Sequence, residues 1–281
     1  MRGRGATLAG CGAILLWSSL ALLSRAASGI PPLQLTAMAF AVSGAGGLAF
    51  LWLRGEFEVL RQGWRVWLHG LGGLFGFHAL YFASLALAPA ATANLINYTW
   101  PLLIVLLSAV VLGIRLTRRH LFGTALALAG CAVLLGQGAA FPAGALLGYA
   151  LAAASAVVWA SYSVLARRFS EVPSGVVAGF CAGSAVLAWA LHLATERTVA
   201  PDAVAWAAVL ALGAGPVGMA FVLWDRGMKR GDVRLLGTLA FATPVLSTLL
   251  LTMAGLAPFT LATLAAAVLV ASGGLVATRG G

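Results

Sequence analysis

Ten apolar stretches follow one another along this 281-residue chain, each close to the length needed to cross a bilayer. A spanning helix takes about 20 mostly apolar residues, because in hydrocarbon every backbone polar group must be satisfied inside the helix itself. The stretches cover approximately residues 6–24, 33–53, 66–87, 90–112, 121–137, 144–166, 174–195, 203–224, 235–255 and 259–277, numbered here as spans 1 to 10. No Lys, Arg, Asp or Glu falls clearly inside any of them, and the connections are too short to hold a soluble domain. Composition agrees by a separate route: 62% of the residues are hydrophobic and 9% charged, against about 25% charged in soluble domains. A disulfide-stapled secreted fold is excluded, since the three cysteines, Cys11, Cys131 and Cys181, all lie in apolar runs. There a thiol behaves as a small hydrophobe. The expected fold class is all-α integral membrane, with ten transmembrane helices.

The net charge of +10 could signal nucleic acid or a membrane topology. Sorting the basic residues by loop decides between them. Arg25 and Arg197 fall on one side; the other fifteen of the 17 fall on the side of the N-terminus. That bias over short loops is the positive-inside pattern. It places both termini in the cytoplasm and removes nucleic acid as a partner, leaving the lipid bilayer. Arg2, Arg4 and the apolar run before Ala26-Ala27-Ser28 have the outline of a cleaved signal. The segment has an internal partner deep in the chain, however, and is expected to be retained as span 1.

That partner emerges on sliding the chain against itself by 142–143 residues. Trp17 falls on Trp159, Ser19 on Ser161, Gly70 on Gly213, Tyr81 on Trp224, Pro101 on Pro244, Thr117 on Thr260 and Gly130 on Gly273. Each half, residues 1–138 and 139–281, then holds five spans. Because five is odd, the second half enters the membrane from the opposite face. Inverted repeats of this kind underlie many secondary transporters that open alternately to each side.

Pro101 and Pro244 lie near the middle of spans 4 and 9. Neither has an N–H to give the carbonyl four residues earlier, on Asn97 or Ala240, so both helices are expected to kink and leave an acceptor free. Interrupted helices at matching places in two halves point to a central site. Asn94, Asn97 and Pro101 share one face of span 4, flanked by Tyr98 and Trp100. Amides in an apolar span are costly unless they face protein or a wet cavity. At the aligned positions of span 9 stand Gly237, Ala240, Phe241 and Thr243, which concentrates the expected polar recognition in the first half. His78 and Tyr81 share a face of span 3, and at 1.5 Å per residue His78 and Tyr98 lie roughly 12–13 Å below the ends of their spans. The two clusters can therefore meet at one depth. Trp17 and its repeat partner Trp159, with Ser18 and Tyr162 beside them, complete the candidate substrate-binding set. No catalytic residue and no metal or cofactor site is expected, and none of the four histidines has an acid near it in sequence on this reading.

Local strings carry a resemblance over essentially the whole chain. They include Leu15-Leu16-Trp17-Ser18-Ser19, Ala90-Ala91 through Pro101, Leu112-Gly113-x-Arg115-Leu116-Thr117 followed by Phe122-Gly123, and Gly130-Cys131-Ala132-Val133-Leu134. Together they resemble the EamA-type branch of the drug/metabolite transporter superfamily. The Asn97-Tyr98-Thr99-Trp100-Pro101 run with His78-x-x-Tyr81 upstream is similar, more narrowly, to the YddG-like aromatic amino acid exporters. The resemblance implies export of aromatic and other neutral amino acids across a bacterial inner membrane by alternating access, without a cofactor. It leaves the oligomeric state open, and a monomer is compatible with it. The branch commonly carries Glu after span 4, where this chain reads Gly113-Ile114-Arg115-Leu116. No acid is expected inside any span, with Asp225 only at the end of span 8, so proton-coupled export of cationic drugs is disfavoured. Either His78 relays a proton or transport is uncoupled, and facilitated export is favoured. Two alternatives remain at this point: another small metabolite, such as a nucleobase or sugar derivative, and a membrane-embedded enzyme. The enzyme would need an acid/base or nucleophile set that the sequence does not display.

Overall fold

The computed structural model describes residues 2–279. The expected outer limits of the two halves, residue 1 and residues 280 and 281, lie outside the described residues, as does the side chain of Arg2. Among the described residues the protein is all-helical, without strands, and ten helices are long and apolar enough to cross a membrane. Their bounds are Gly3–Ala26, Pro32–Leu53, Trp64–Leu87, Ala90–Leu112, Arg118–Leu135, Ala143–Phe169, Ser174–Thr195, Ala203–Arg230, Val233–Met253 and Leu261–Thr278 for spans 1 to 10.

Caps set several of these limits. The Thr117 hydroxyl accepts the His120 N–H at the start of span 5, and Thr260 accepts the Thr263 N–H at 3.1 Å at the start of span 10. These two threonines are the pair that the sequence offset aligned, and each relieves an N-terminal donor that lipid would leave unmet. Asp202 and Asp232 cap spans 8 and 9 in the same manner. Span 4 closes on Gly113 at φ 67°, a left-handed position that suits glycine.

Span 8 departs from the expectation. It stays helical to Arg230, six residues past the expected edge at 224, and so carries Asp225 and Lys229 inside it, both buried. Their i,i+4 spacing lets each neutralise the other: the Lys229 ammonium lies 2.8 Å from Asp225 Oδ2 and donates to the Val172 carbonyl at 2.9 Å. An acid is therefore present within a span, against the sequence reading. A second correction concerns the histidines, for His192 at the end of span 7 meets Glu196, four residues on, at 2.8 Å. Glu196 also accepts the N–H groups of Leu33 and Gln34, both at 3.1 Å, so the pair ties span 7 to the first turn of span 2.

Small residues let the helices approach closely, as expected where packing rather than water exclusion drives association. Span 2 lies against span 7, where Gly44 meets Ala182 and Gly47 meets Ala178. Span 5 lies against span 10, where Gly123 meets Gly273 and Ala277, and Gly130 meets Ala266 and Val270. In both pairs the register falls in one helix as it rises in the other, so the partners run antiparallel. Span 1 packs on span 8 and span 3 on span 6. The start of span 1, the end of span 10 and most of the described arginines gather at one end of the bundle, where Gly3 lies beside the Arg230 carbonyl and the Arg119 guanidinium donates to the Arg279 carbonyl at 2.8 Å; we call this the basic end.

A Cβ on Gly273 would collide with backbone of span 5, at the Ala127 nitrogen 2.8 Å away and at the Gly123 carbonyl. Gly273→Val is expected to cost roughly 1–3 kcal/mol or more, as overpacking against rigid backbone does. Thermal unfolding in detergent checks this; a melting point within a degree of the parent would show that the helices can move apart freely.

Candidate functional site

Four spans are interrupted, and the interruptions converge. Span 4 breaks between Asn97 and Trp100, and span 9 between Leu239 and Ala242. Span 1 breaks at Ser19, whose hydroxyl turns back onto the Leu16 carbonyl at 2.7 Å. Span 8 widens into a π-turn over Gly215–Met219. Such turns loosen the backbone ladder and release carbonyls; one of them, on Pro216, accepts the Trp17 indole N–H at 3.0 Å. The expectation that the missing N–H of Pro244 frees the Ala240 carbonyl does not hold. The Thr243 N–H turns back to it at 3.1 Å, and Pro244 sits in the first turn of the resumed helix. Pro101 likewise stands in the first turn after the span 4 break.

Between these interruptions lies a cavity of about 490 Å³. Its wall is aromatic. Trp17 stands edge-on to its repeat partner Trp159, with ring centroids 5.7 Å apart, and to Trp100 at 6.4 Å. Phe221 closes on Trp159 at 5.7 Å, and Trp224, fully buried behind Trp17 at 5.0 Å, donates its indole N–H to Ser163 Oγ. Edge-to-face and tilted packing of this kind suits the ring quadrupoles and fixes a rigid surface.

The polar groups line the other side. Tyr81 donates to the Asn94 side-chain carbonyl, and Phe77 stacks parallel on Tyr81 at 5.8 Å. The Asn97 amide meets Ser155 Oγ at 2.9 Å and lines the cavity. His78 Nδ1 lies 2.7 Å from the Leu74 carbonyl. A carbonyl only accepts, so Nδ1 carries the hydrogen, and Nε2 of the neutral ring is an acceptor. Tyr98 lines the cavity at the span 4 break. Among the described residues, none that lines the cavity is Asp, Glu, Lys or Arg.

Most of the expected residues are thus brought together: His78, Tyr81, Asn94, Asn97, Tyr98, Trp100, Trp17, Trp159 and Pro244 all line the cavity. Three do not. Ser18 is buried and bonds back to the Ile14 carbonyl at 2.9 Å, a helix-bending contact rather than a site contact. Tyr162 lies deeper toward the basic end, its ring stacked on His69 at 4.7 Å, its hydroxyl buried without a hydrogen-bond partner among the described residues. Pro101 is buried behind the wall. The sequence reading missed Phe77, Phe221 and the hydroxyls of span 9. Thr243 Oγ1 is buried at the cavity edge without a hydrogen-bond partner among the described residues, with Ser247 and Thr248 beyond it. Polar groups therefore come from both halves, which corrects the expectation that they gather in one.

The cavity extends along Ser24 of span 1, Leu135 of span 5 and Leu251 of span 9, and so faces the end opposite the basic one. Toward the basic end it is sealed by Ala13 and Ile14, Ile104 and Val105, and Leu236, none more than 4% exposed. A membrane-embedded bundle with an amphiphilic chamber, open at one end and plugged at the other, is the construction of a transporter. The chain belongs to the EamA-like transporter family, whose model matches residues 4–136 and again 146–279. It is 52% identical to the aromatic amino acid exporter YddG of Ancylobacter novellus, over 99% of this chain and 98% of that one. The exporter of the same name from Salmonella typhimurium is 28% identical over 98% of this chain and 97% of its own. A solved crystal structure of a 52% identical protein superimposes with a TM-score of 0.95, covering 99% of this chain and 98% of that one. The chain is accordingly a multi-pass membrane protein of a transporter family and not an enzyme.

Asp225 and Lys229 lie outside this chamber, buried near the basic end. Asp225→Asn strands an ammonium with the Val172 carbonyl as its remaining partner, and breaking a buried pair in this way costs about 3–5 kcal/mol. Asp225→Leu with Lys229→Met removes both charges and is expected to recover most of that loss. Thermal unfolding of the two variants decides it; equal destabilisation by both would mean the charges are not what holds this region.

Proposed function

We propose that this protein exports aromatic and other neutral amino acids across the bacterial inner membrane, with the basic end in the cytoplasm. The observation that carries the reading is the chamber itself. Indole and phenyl faces form one wall for an apolar or aromatic side chain, while the Asn97 amide, the His78 imidazole and the Thr243 hydroxyl offer the neutral donors and acceptors that an ammonium and a carboxylate require. The name of the relatives, over nearly the full chain, supports the same substrate class.

Residues 1–138 and 139–281 act as two inverted halves, and alternating access is their rocking about the chamber. Three observations support this. Corresponding spans 2 and 7, and 5 and 10, run antiparallel against each other. The interruptions of spans 4 and 9 fall at aligned positions. The family model matches the chain twice. The bias of fifteen basic residues to one end supports the orientation.

Transport is facilitated, following the substrate gradient. Among the described residues no carboxylate lines the chamber, and Asp225 is committed to Lys229 outside it. Purified protein in liposomes loaded with labelled phenylalanine is expected to release it faster than empty vesicles do, and absence of that flux would refute the export reading. Asn97→Ala, which removes an amide from the chamber, is expected to slow release about tenfold, the worth of one good hydrogen bond to a charged group. An imposed pH gradient is expected to leave the rate unchanged; uphill accumulation driven by that gradient would replace facilitation with proton coupling. Competition by nucleobases or sugar derivatives, at the strength of phenylalanine, would move the substrate class to those metabolites.

A further inference from the structure

A second cavity, of about 800 Å³, lies at the basic end, where span 1 begins, span 8 ends and span 9 begins. Four arginines line it, Arg4, Arg167, Arg230 and Arg234, against one carboxylate, Asp232. Two of the four are tethered. Arg167 donates to the Gly231 carbonyl at 2.6 Å, and Arg234 reaches Asp232 at 3.4 Å and the Arg115 carbonyl at 3.0 Å. Asp232 is further engaged as the cap of span 9, accepting the N–H groups of Arg234 and Leu235 at 3.1 and 3.2 Å. Arg4 and Arg230 are exposed and make no hydrogen bond or ion pair among the described residues. The cavity therefore holds a marked excess of positive charge with two guanidinium groups uncommitted.

Apart from Thr7, whose hydroxyl is engaged by the Gly3 carbonyl and the Asp232 N–H, no other side chain in its remaining wall among the described residues is polar, and the decisive residue there is Leu8. Leu8 is 70% exposed, and Leu15, seven residues deeper on the same face of span 1, is 63% exposed and takes no part in the central chamber. A leucine so exposed in mid-span faces hydrocarbon. The arginine cavity thus opens sideways into lipid along the Leu8–Leu15 face as well as outward into water.

We infer that this cavity binds the headgroup of an anionic phospholipid, with the phosphate between Arg4, Arg230 and Arg234 and an acyl chain along Leu8 and Leu15. Guanidinium groups match phosphate in geometry and charge, and basic pockets between transmembrane helices hold such headgroups. A free anion would use the arginines and gain nothing from the leucines.

Native mass spectrometry of the full chain in detergent, offered phosphatidylglycerol and phosphatidylcholine together, tests this. The protein is expected to retain a single phosphatidylglycerol in preference to phosphatidylcholine. Arg4→Gln with Arg230→Gln is expected to weaken that retention about 25-fold, roughly fivefold for each arginine near a membrane surface. Arg118→Gln, an exposed arginine at the same end but outside the cavity, is expected to leave it unchanged. Should the double variant fail to fold, each single variant carries its own fivefold expectation. Equal retention of the two lipids, or full retention by the arginine variants, overturns the site. Displacement of the lipid by glycerol 3-phosphate at an equal concentration would make it a soluble-anion site, and displacement by phenylalanine would make it part of the substrate path; either outcome overturns the lipid assignment.

Discussion

Within hydrocarbon a broken helix finds no water to repair it, and the whole architecture follows from how this chain meets that constraint. Each unsatisfied backbone group would cost several kcal/mol, so a span can be interrupted only where protein supplies a replacement partner. The Trp17 indole supplies one for Pro216 in the π-turn of span 8. The Thr243 N–H supplies one for Ala240 in span 9. At the start of span 4, the Thr92 hydroxyl bonds both to the Ala140 carbonyl and to the Ala140 N–H. Interruptions therefore cluster where helices from both halves converge, and a chamber lined by polar groups forms at that convergence.

The same constraint separates rigid parts from adjustable ones. Spans 5 and 10, and spans 2 and 7, touch backbone to backbone through glycine and alanine and have uninterrupted ladders. They are the scaffold pairs, since sliding them would drive carbonyls into Cβ atoms. Spans 1, 4, 8 and 9 carry the breaks and surround the chamber. In the alternating access proposed above, a change that spares the scaffold would hinge at Ser19, Thr99, the π-turn and Phe241, the interruptions within the layer of the aromatic wall.

Much of this was legible in the sequence, because lipid imposes length and apolarity on a span more strictly than water imposes any pattern on a soluble helix. All ten spans were placed to within a few residues, except that span 8 ran on to Arg230. The exception has a physical reason. A hydropathy reading ends a span at its first charge, yet Asp225 and Lys229 at i,i+4 cancel one another and remain buried. The chamber was legible where residue type is expensive in a membrane: Asn94, Asn97, His78 and the paired tryptophans all reach it. It was illegible where the side chain has a cheap alternative. Ser18 satisfies itself on its own helix, and Tyr162 turns to His69. Thr243 could have done as Ser18 does and does not, a choice that the sequence cannot display. Phe77 and Phe221 were missed because an apolar ring in an apolar span carries no signal of direction.

The distribution of charge then acquires a consistent meaning. A zwitterion leaving water for a chamber without a formal charge must find its compensation in dipoles. The chamber supplies side-chain amides and hydroxyls, together with the ends of the half-helices that meet at the span 4 and span 9 breaks. Dipoles hold a zwitterion without selecting for net charge, whereas a fixed carboxylate or ammonium in the wall would bind one end strongly and repel the other. Under the facilitated export proposed above, such a wall would slow release on the far side, with only the substrate gradient to overcome it. With the ionised groups held at the two ends of the bundle and in the buried Asp225–Lys229 pair, the proposed substrate is left to be discriminated by the shape of the aromatic wall.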